Sequence, residues 1–132
     1  MLKLTRKTEY ALLSLRYLQM KKNSELVTSR KIAEEYSIPF PVLSKVLQHL
    51  SREGYIEPVK GAHGGYRLCL DLNEINLWNF LETMEGPLGL VDCLLDTDCE
   101  QELNCSIQTP IRRINHRVRT VFNNLSVSDV TI

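Results

Sequence analysis

Apolar residues recur at helical spacing along most of this chain, and the spacing fails in two stretches. Ala11, Leu12, Leu15, Leu18 and Met20 follow a three-to-four-residue period, which predicts a helix over 5–20 with Thr5 or Thr8 as its cap. Leu13 and Tyr17 widen its apolar face, as at an interface covered from two sides. A short second helix follows in Val27–Tyr36, capped by Thr28 or Ser29, with Ile32, Ala33 and Tyr36 inward. Ser37-Ile38-Pro39 breaks it, because the residue before a proline avoids the helical region. A third helix is expected over 41–52, with Pro41 in its first turn and Gly54 just past its end. Val42, Leu43, Val46, Leu47 and Leu50 are its expected buried stripe, and Ser44, Lys45, Gln48 and His49 lie off it.

The period then changes. Tyr55–Lys60 and Tyr66–Leu70 are β-rich runs around the glycine-rich Gly61-Ala-His-Gly-Gly65, the pattern of a hairpin. Helical spacing returns over 71–85, where Asp71 or Asn73 is the expected cap and Ile75, Trp78, Leu81 and Met84 point inward. A last long helix is expected from Ser106 or Thr109 to about Asn124. Its apolar residues Ile107, Ile111, Ile114, Val118, Val121 and Leu125 step by 4, 3, 4, 3 and 4. That is a one-sided heptad seam, which asks for a partner helix from a second copy or from its own domain. Ser126-Val-Ser-Asp129 predicts one final capped turn.

Two short helices joined tightly, the second showing polar residues outward, followed by a hairpin, form a winged helix-turn-helix pattern. The expected fold is mostly α with a small β-hairpin, closed by a long C-terminal dimerisation helix. Residues 1–85 would be the DNA-binding domain, 86–105 a loop, and 106–132 the dimerisation helix and last turn. DNA contact is expected at Pro41, Ser44, Lys45 and Gln48 in the major groove. Thr28 and Ser29 are expected at phosphate, and Lys60 and His63 of the wing on the minor groove or backbone, near Arg67 and the tip glycines.

Charge sharpens this picture. The formal net charge is zero, yet residues 1–70 hold 12 Lys/Arg against 6 Asp/Glu, and residues 71–111 hold 9 Asp/Glu and no Lys or Arg. A basic front half suits a polyanion such as double-stranded DNA. No apolar run approaches the roughly 18 residues of a membrane span, and the N-terminus lacks an apolar signal core, so a cytoplasmic protein without a membrane partner is expected.

The second break is the acidic stretch 86–105, which carries Cys93, Cys99 and Cys105 at even six-residue steps. Thiolates bind soft metals, and a loop can wrap three sulfurs around one centre. Three unrelated thiols, or a disulfide with a spare, are the plainer readings, but an odd, evenly spaced triplet suits neither. Cys69, in the second hairpin strand, is expected to be a small packed residue.

Together these segments resemble the IscR/NsrR group of bacterial iron–sulfur transcription regulators. The resemblance is carried by Leu4-Thr5-Arg-Lys-Thr-Glu-Tyr-Ala11, the wing Lys60–Leu68, the cysteine triplet, and the ending Asn123–Val130. It implies a homodimer on an imperfect palindromic operator, expected to act as a repressor, with an iron–sulfur cluster in each subunit. In IscR-like members a histidine three residues after the last cysteine completes the site; here that position is Gln108. In NsrR-like members a carboxylate from the partner's first helix does so, and the matching position is Glu9, one methylene longer than the family's Asp. The resemblance thus favours a 4Fe–4S over a 2Fe–2S cluster, held by Cys93, Cys99, Cys105 and Glu9 of the partner subunit. Glu9 can equally be a helix-start acid stabilised by the macrodipole. His116 and a small solvent molecule are the other candidates for the fourth site.

Three rivals remain at this level. An enzyme with a nucleophilic cysteine would need one thiol with an orienting base, and none of the four is so marked. An iron–sulfur electron carrier would need no winged helix. A cluster-free regulator answering to thiols or zinc would keep every feature except the cluster.

Overall fold

The computed structural model describes residues 3–21, 26–61, 64–89 and 107–131. Helix α1 (Arg6–Met20) begins at Thr5, whose Oγ1 accepts the Thr8 N–H. Thr8 is not the cap. It is fully buried, and its hydroxyl donates to Glu85 Oε1 at 2.6 Å. Helix α2 (Ser29–Tyr36) begins at Thr28, whose Oγ1 accepts the Lys31 N–H at 3.2 Å. Ser37 ends it in the left-handed conformation (φ 52°, ψ 44°), and the Ile38 N–H returns to the Ala33 carbonyl at 2.9 Å. Helix α3 (Phe40–Arg52) starts one residue earlier than its proline suggests, with Pro39 as its cap residue.

The hairpin strands β1 (Ile56–Val59) and β2 (Gly65–Leu68) pair antiparallel, with Ile56 opposite Leu68 and Val59 opposite Gly65. A third piece of backbone joins them. Val27 bridges Tyr66, with the Tyr66 N–H donating to the Val27 carbonyl at 2.8 Å. This approach explains Gly65, because a Cβ there would lie 2.6 Å from the Val27 oxygen. The glycine serves the sheet's own packing.

The single helix expected over 71–85 is two pieces. Leu72–Glu74 is a short 3₁₀ turn capped by Asp71, and helix α4 (Leu77–Glu85) begins afresh at Asn76. The Asn76 side chain accepts the Asn79 N–H and also donates to the Asn123 carbonyl at 2.8 Å, so one amide ties the start of α4 to the end of helix α5 (Gln108–Asn123). Backbone bonds from Leu77 to Leu125 and from Val127 to Ile75 complete the seam. The final 3₁₀ turn, Val127–Val130, has the expected reciprocal cap, with the Ser126 N–H donating to Asp129 Oδ2 at 2.8 Å.

The core lies where α1, α3 and α4 meet the hairpin. Leu15, Ile32, Leu43, Leu47, Leu50, Ile56 and Phe80 are at most 1% exposed. Each such side chain contributes about 1.5–3 kcal/mol on leaving water. Ile75, Trp78, Leu81 and Met84 are buried as expected. Val42 is not; it is 43% exposed, on the outward side of the first turn of α3. Cys69 is also exposed. It lies just past β2, and the strand's alternation places it on the same outer face as exposed Arg67. No helix among the described residues is long and apolar enough to cross a membrane.

Candidate nucleic-acid interface and cluster segment

Helix α3 presents its polar side as a continuous stripe. Leu43, Val46, Leu47 and Leu50 anchor the opposite side at no more than 2% exposure, which fixes the helix's rotation about its axis. Pro41, Lys45 and Gln48 are therefore exposed along one line at spacings of four and three, with Ser44 half-buried at its edge. Val42, expected in the core, stands at the head of this face instead. The Arg30 guanidinium of α2 sits 5.2 Å from the centre of the Phe40 ring, joining the two helices at the turn.

Thr28 and Ser29 are half-buried at the start of α2. The backbone N–H groups of a helix's first turn, with the dipole behind them, form a ready seat for an anion. The Thr28 oxygen accepts the Lys31 N–H, and among the described residues its hydroxyl proton has no acceptor. On the wing, Lys60 is exposed at the end of β1. Arg67 does not serve the tip: it lies opposite Glu57 in the ladder and forms an ion pair with it. His63 lies outside the described residues.

His49, on the same helix as Lys45, faces a different environment. Its side chain is 15% exposed, and Nδ1 is buried with no hydrogen-bond partner among the described residues. Burial lowers its pKa below the ordinary histidine value, helped by the positive charges of Lys7 and Arg52 and opposed by Glu53. Neutral imidazole is thus the favoured form.

Cys93, Cys99 and Cys105 lie outside the described residues. Glu9 is half-exposed near the start of α1, where Arg6 pairs with it at 3.2 Å. It borders an open cleft of about 360 Å³ that also takes in Leu12, Leu13, Arg16 and Val130. The Glu9 carboxylate is thus partly open to solvent. His116 is exposed on α5, and Gln108 is that helix's first residue. Partial burial and Glu57 hold the Cys69 thiol above its ordinary pKa, against the pull of Arg67.

Glu85 has no counterpart in the sequence reading. At the last residue of α4 it accepts from the Thr5 N–H at 2.8 Å, Thr5 Oγ1 at 3.1 Å and Thr8 Oγ1 at 2.6 Å. Burial alone would raise its pKa. The hydrogen bonds from Thr8 and Thr5, with the Lys7 charge, bring it below the usual carboxylate value. This clasp fixes the first turn of α1, which carries Glu9, against the end of the helix that leads into residues 90–106. The partners are about eighty residues apart in sequence, so local spacing carries no trace of them.

Comparison with known proteins agrees with this architecture. Residues 4–131 match the model of the Rrf2 family, described as an iron-dependent transcriptional regulator. The chain is 36% identical over 115 residues to the HTH-type transcriptional regulator NsrR of Bacillus licheniformis, spanning 87% of this chain and 77% of that protein. It is 24% identical over 129 residues to the regulator IscR of Vibrio parahaemolyticus, spanning 98% and 77%. Its fold matches that of CymR, the global cysteine regulator of B. subtilis, with a TM-score of 0.76 over 99% of this chain and 97% of that one, at 24% identity. The chain belongs to the Rrf2 family of transcriptional regulators.

Proposed function

We propose that the protein is a homodimeric repressor that binds a palindromic operator in double-stranded DNA, with an affinity set by an iron–sulfur cluster. The observation that carries the DNA reading is the exposed stripe Pro41, Lys45 and Gln48 on a helix locked by its opposite face, beside a wing. Pro41, Ser44, Lys45 and Gln48 approach base edges; Thr28 and Ser29 take a phosphate at the start of α2; Lys60 and His63 reach the minor groove or backbone. Two copies are required because one reading helix covers one half-site, and the exposed seam of α5 offers the surface to join them.

The cluster reading is supported by the cysteine triplet, by the NsrR relatives and by the position of Glu9. Cys93, Cys99 and Cys105 supply three thiolates, and Glu9 of the partner subunit supplies an oxygen ligand, the set that favours 4Fe–4S over 2Fe–2S. Among the described residues, Glu9 fits that role: it is half-exposed, beside an open cleft, and its tie is a single surface ion pair with Arg6, an interaction of low strength. When bound, such a cluster supplies iron chemistry that answers to nitric oxide, oxygen or iron supply. A ligand donated across the dimer couples its state to the spacing of the two reading helices.

Protein purified without oxygen should absorb broadly in the visible blue and contain iron and sulfide in equal amounts. Cys93→Ala, Cys99→Ala and Cys105→Ala should each remove the colour. Glu9→Ala should leave folding and dimerisation intact while the colour decays faster; a decay like the parent's, with His116→Ala losing the colour, would give the fourth site to the histidine. Colourless protein loaded with zinc, or with no metal at all, selects the second reading, a cluster-free regulator answering to thiols or zinc. The likeness to CymR keeps that reading in view, since one fold serves regulators named for different signals.

A further inference from the structure

A cleft of about 470 Å³ opens between the start of α1 and the outer side of α3. Its walls include Lys7 from α1 and Lys45, Gln48, His49 and Arg52 from α3. Three of these are cations, and no carboxylate lines the cleft. Several other cations among the described residues are engaged: Arg6 with Glu9, Arg67 with Glu57, Arg30 over Phe40 and Arg119 over Trp78. Lys7, Lys45 and Arg52 form no ion pair among the described residues. Arg52 continues the stripe of Pro41, Lys45 and Gln48, four residues further on and about 10 Å along the axis from Lys45. Lys7 arrives from another element, held in place because the Thr5 and Thr8 bonds to Glu85 fix the turn that carries it. His49, also on the wall, buries its Nδ1 with no hydrogen-bond partner among the described residues.

We propose that this cleft is a seat for a DNA backbone phosphate, flanking the base-reading stripe, with Lys7 and Arg52 as its cations. The inference rests on the DNA-binding reading and extends it to a helix outside the helix-turn-helix. A phosphate here is favoured by charge complementarity, because it would neutralise two positive charges that otherwise repel each other across the cleft. His49 reports that field, since both cations act to lower its pKa. The seat carries no sequence information, as phosphate contacts position the protein rather than select bases. It also joins DNA to the turn of α1 that bears Glu9.

The test uses the full-length chain and a fluorescently labelled mixed-sequence duplex of about three helical turns. Affinity is measured across a range of salt concentrations. Lys7→Ala and Arg52→Ala should each reduce the slope of log affinity against log salt by about 0.9, the signature of one lost phosphate contact. Arg119→Ala, on the Trp78 ring, should keep the parent's slope. Both substituted residues are exposed, so thermal melting should stay at the parent's value. If the parent binds the duplex and both variants keep its slope, the seat is overturned while DNA binding stands. If the parent fails to bind the duplex even at low salt, the DNA reading itself falls and the seat with it.

Discussion

Helices α3 and α5 are both amphipathic, yet they dispose of their apolar faces in opposite ways. The stripe of α3 is completed within its own domain, with Leu43, Val46, Leu47 and Leu50 at most 2% exposed. The seam of α5 is not. Ile107, Ile114 and Val121, spaced by sevens, are 56%, 49% and 58% exposed. Ile111, Val118 and Leu125, also spaced by sevens, are half-buried, and only Leu125 packs on the core. One helix is locked, and under the proposed function its polar side is the one presented to DNA. The other leaves its apolar side open, and under the same proposal a second copy covers it. An amphipathic period alone does not distinguish the two; what does is whether the rest of the domain supplies a complementary surface.

The most severe way to break the contrast is to place a charge in the open seam. Val118→Asp should abolish the dimer at micromolar concentrations, because the carboxylate would be buried with no partner. Sedimentation velocity would show a monomer, and retention on a palindromic site would be lost. A variant that sediments with the parent would mean that α5 packs on its own domain alone. The matching change in the closed stripe, Leu47→Ala, should cost about 2–5 kcal/mol of folding stability through lost burial and a residual cavity. Ile114→Ala should change the stability of the monomer by no more than about 0.5 kcal/mol, as at an ordinary surface position. Denaturant unfolding of all three would show whether the two helices differ as their exposures imply.

On the polar side of α3, Lys45→Ala should weaken DNA binding by about 1–3 kcal/mol and relax sequence preference if Lys45 reads a base. An equal loss on every duplex would make it a phosphate contact, and no loss would remove it from the interface.

Much of this layout is legible in the chain, because it depends on local periodicity. The caps at Thr5 and Thr28, the break at Ser37, the stop at Gly54 and the box at Ser126 and Asp129 are short-range devices, and each stands where residue type places it. What escaped depends on distant partners. Val42 fits the apolar period of α3 but lies on the side of its first turn that the described core does not cover, and is 43% exposed. Asn76 sits inside an apparently continuous helix; its cap on Asn79 is local, but its bond to Asn123 and the Leu77–Leu125 and Val127–Ile75 backbone bonds that hold the restart are not. Val27 pairs with Tyr66 across two helices, and that approach leaves no room for a side chain at Gly65. Arg67 seems a free wing cation until the ladder places it opposite Glu57. Within the candidate cluster site, the cysteines stand out by spacing alone, whereas Glu9 is one acid among several and needed a resemblance to single it out.

A modest effect is expected away from both helices, in the clasp that Glu85 at the end of α4 makes with Thr5 and Thr8 at the start of α1. Glu85→Gln keeps an acceptor oxygen and removes the charge, so at neutral pH it should cost on the order of 1 kcal/mol, the difference between charged and neutral hydrogen bonds. The sign of its pH dependence follows from the lowered pKa. The carboxylate's contribution is fully present above its ordinary value of 4.5 and is lost as pH falls through the lower folded value. Parent and variant should therefore converge in stability as the pH drops below that range, while staying apart near neutrality. His49 acts earlier on the same descent. Its lowered pKa means that the unfolded chain takes up a proton first, so stability declines as pH falls below 6.5 in parent and variant alike. Unfolding curves measured from neutral to acidic pH separate the two: a gap between parent and Glu85→Gln that persists at the lowest pH would show that Glu85 contributes through shape rather than charge.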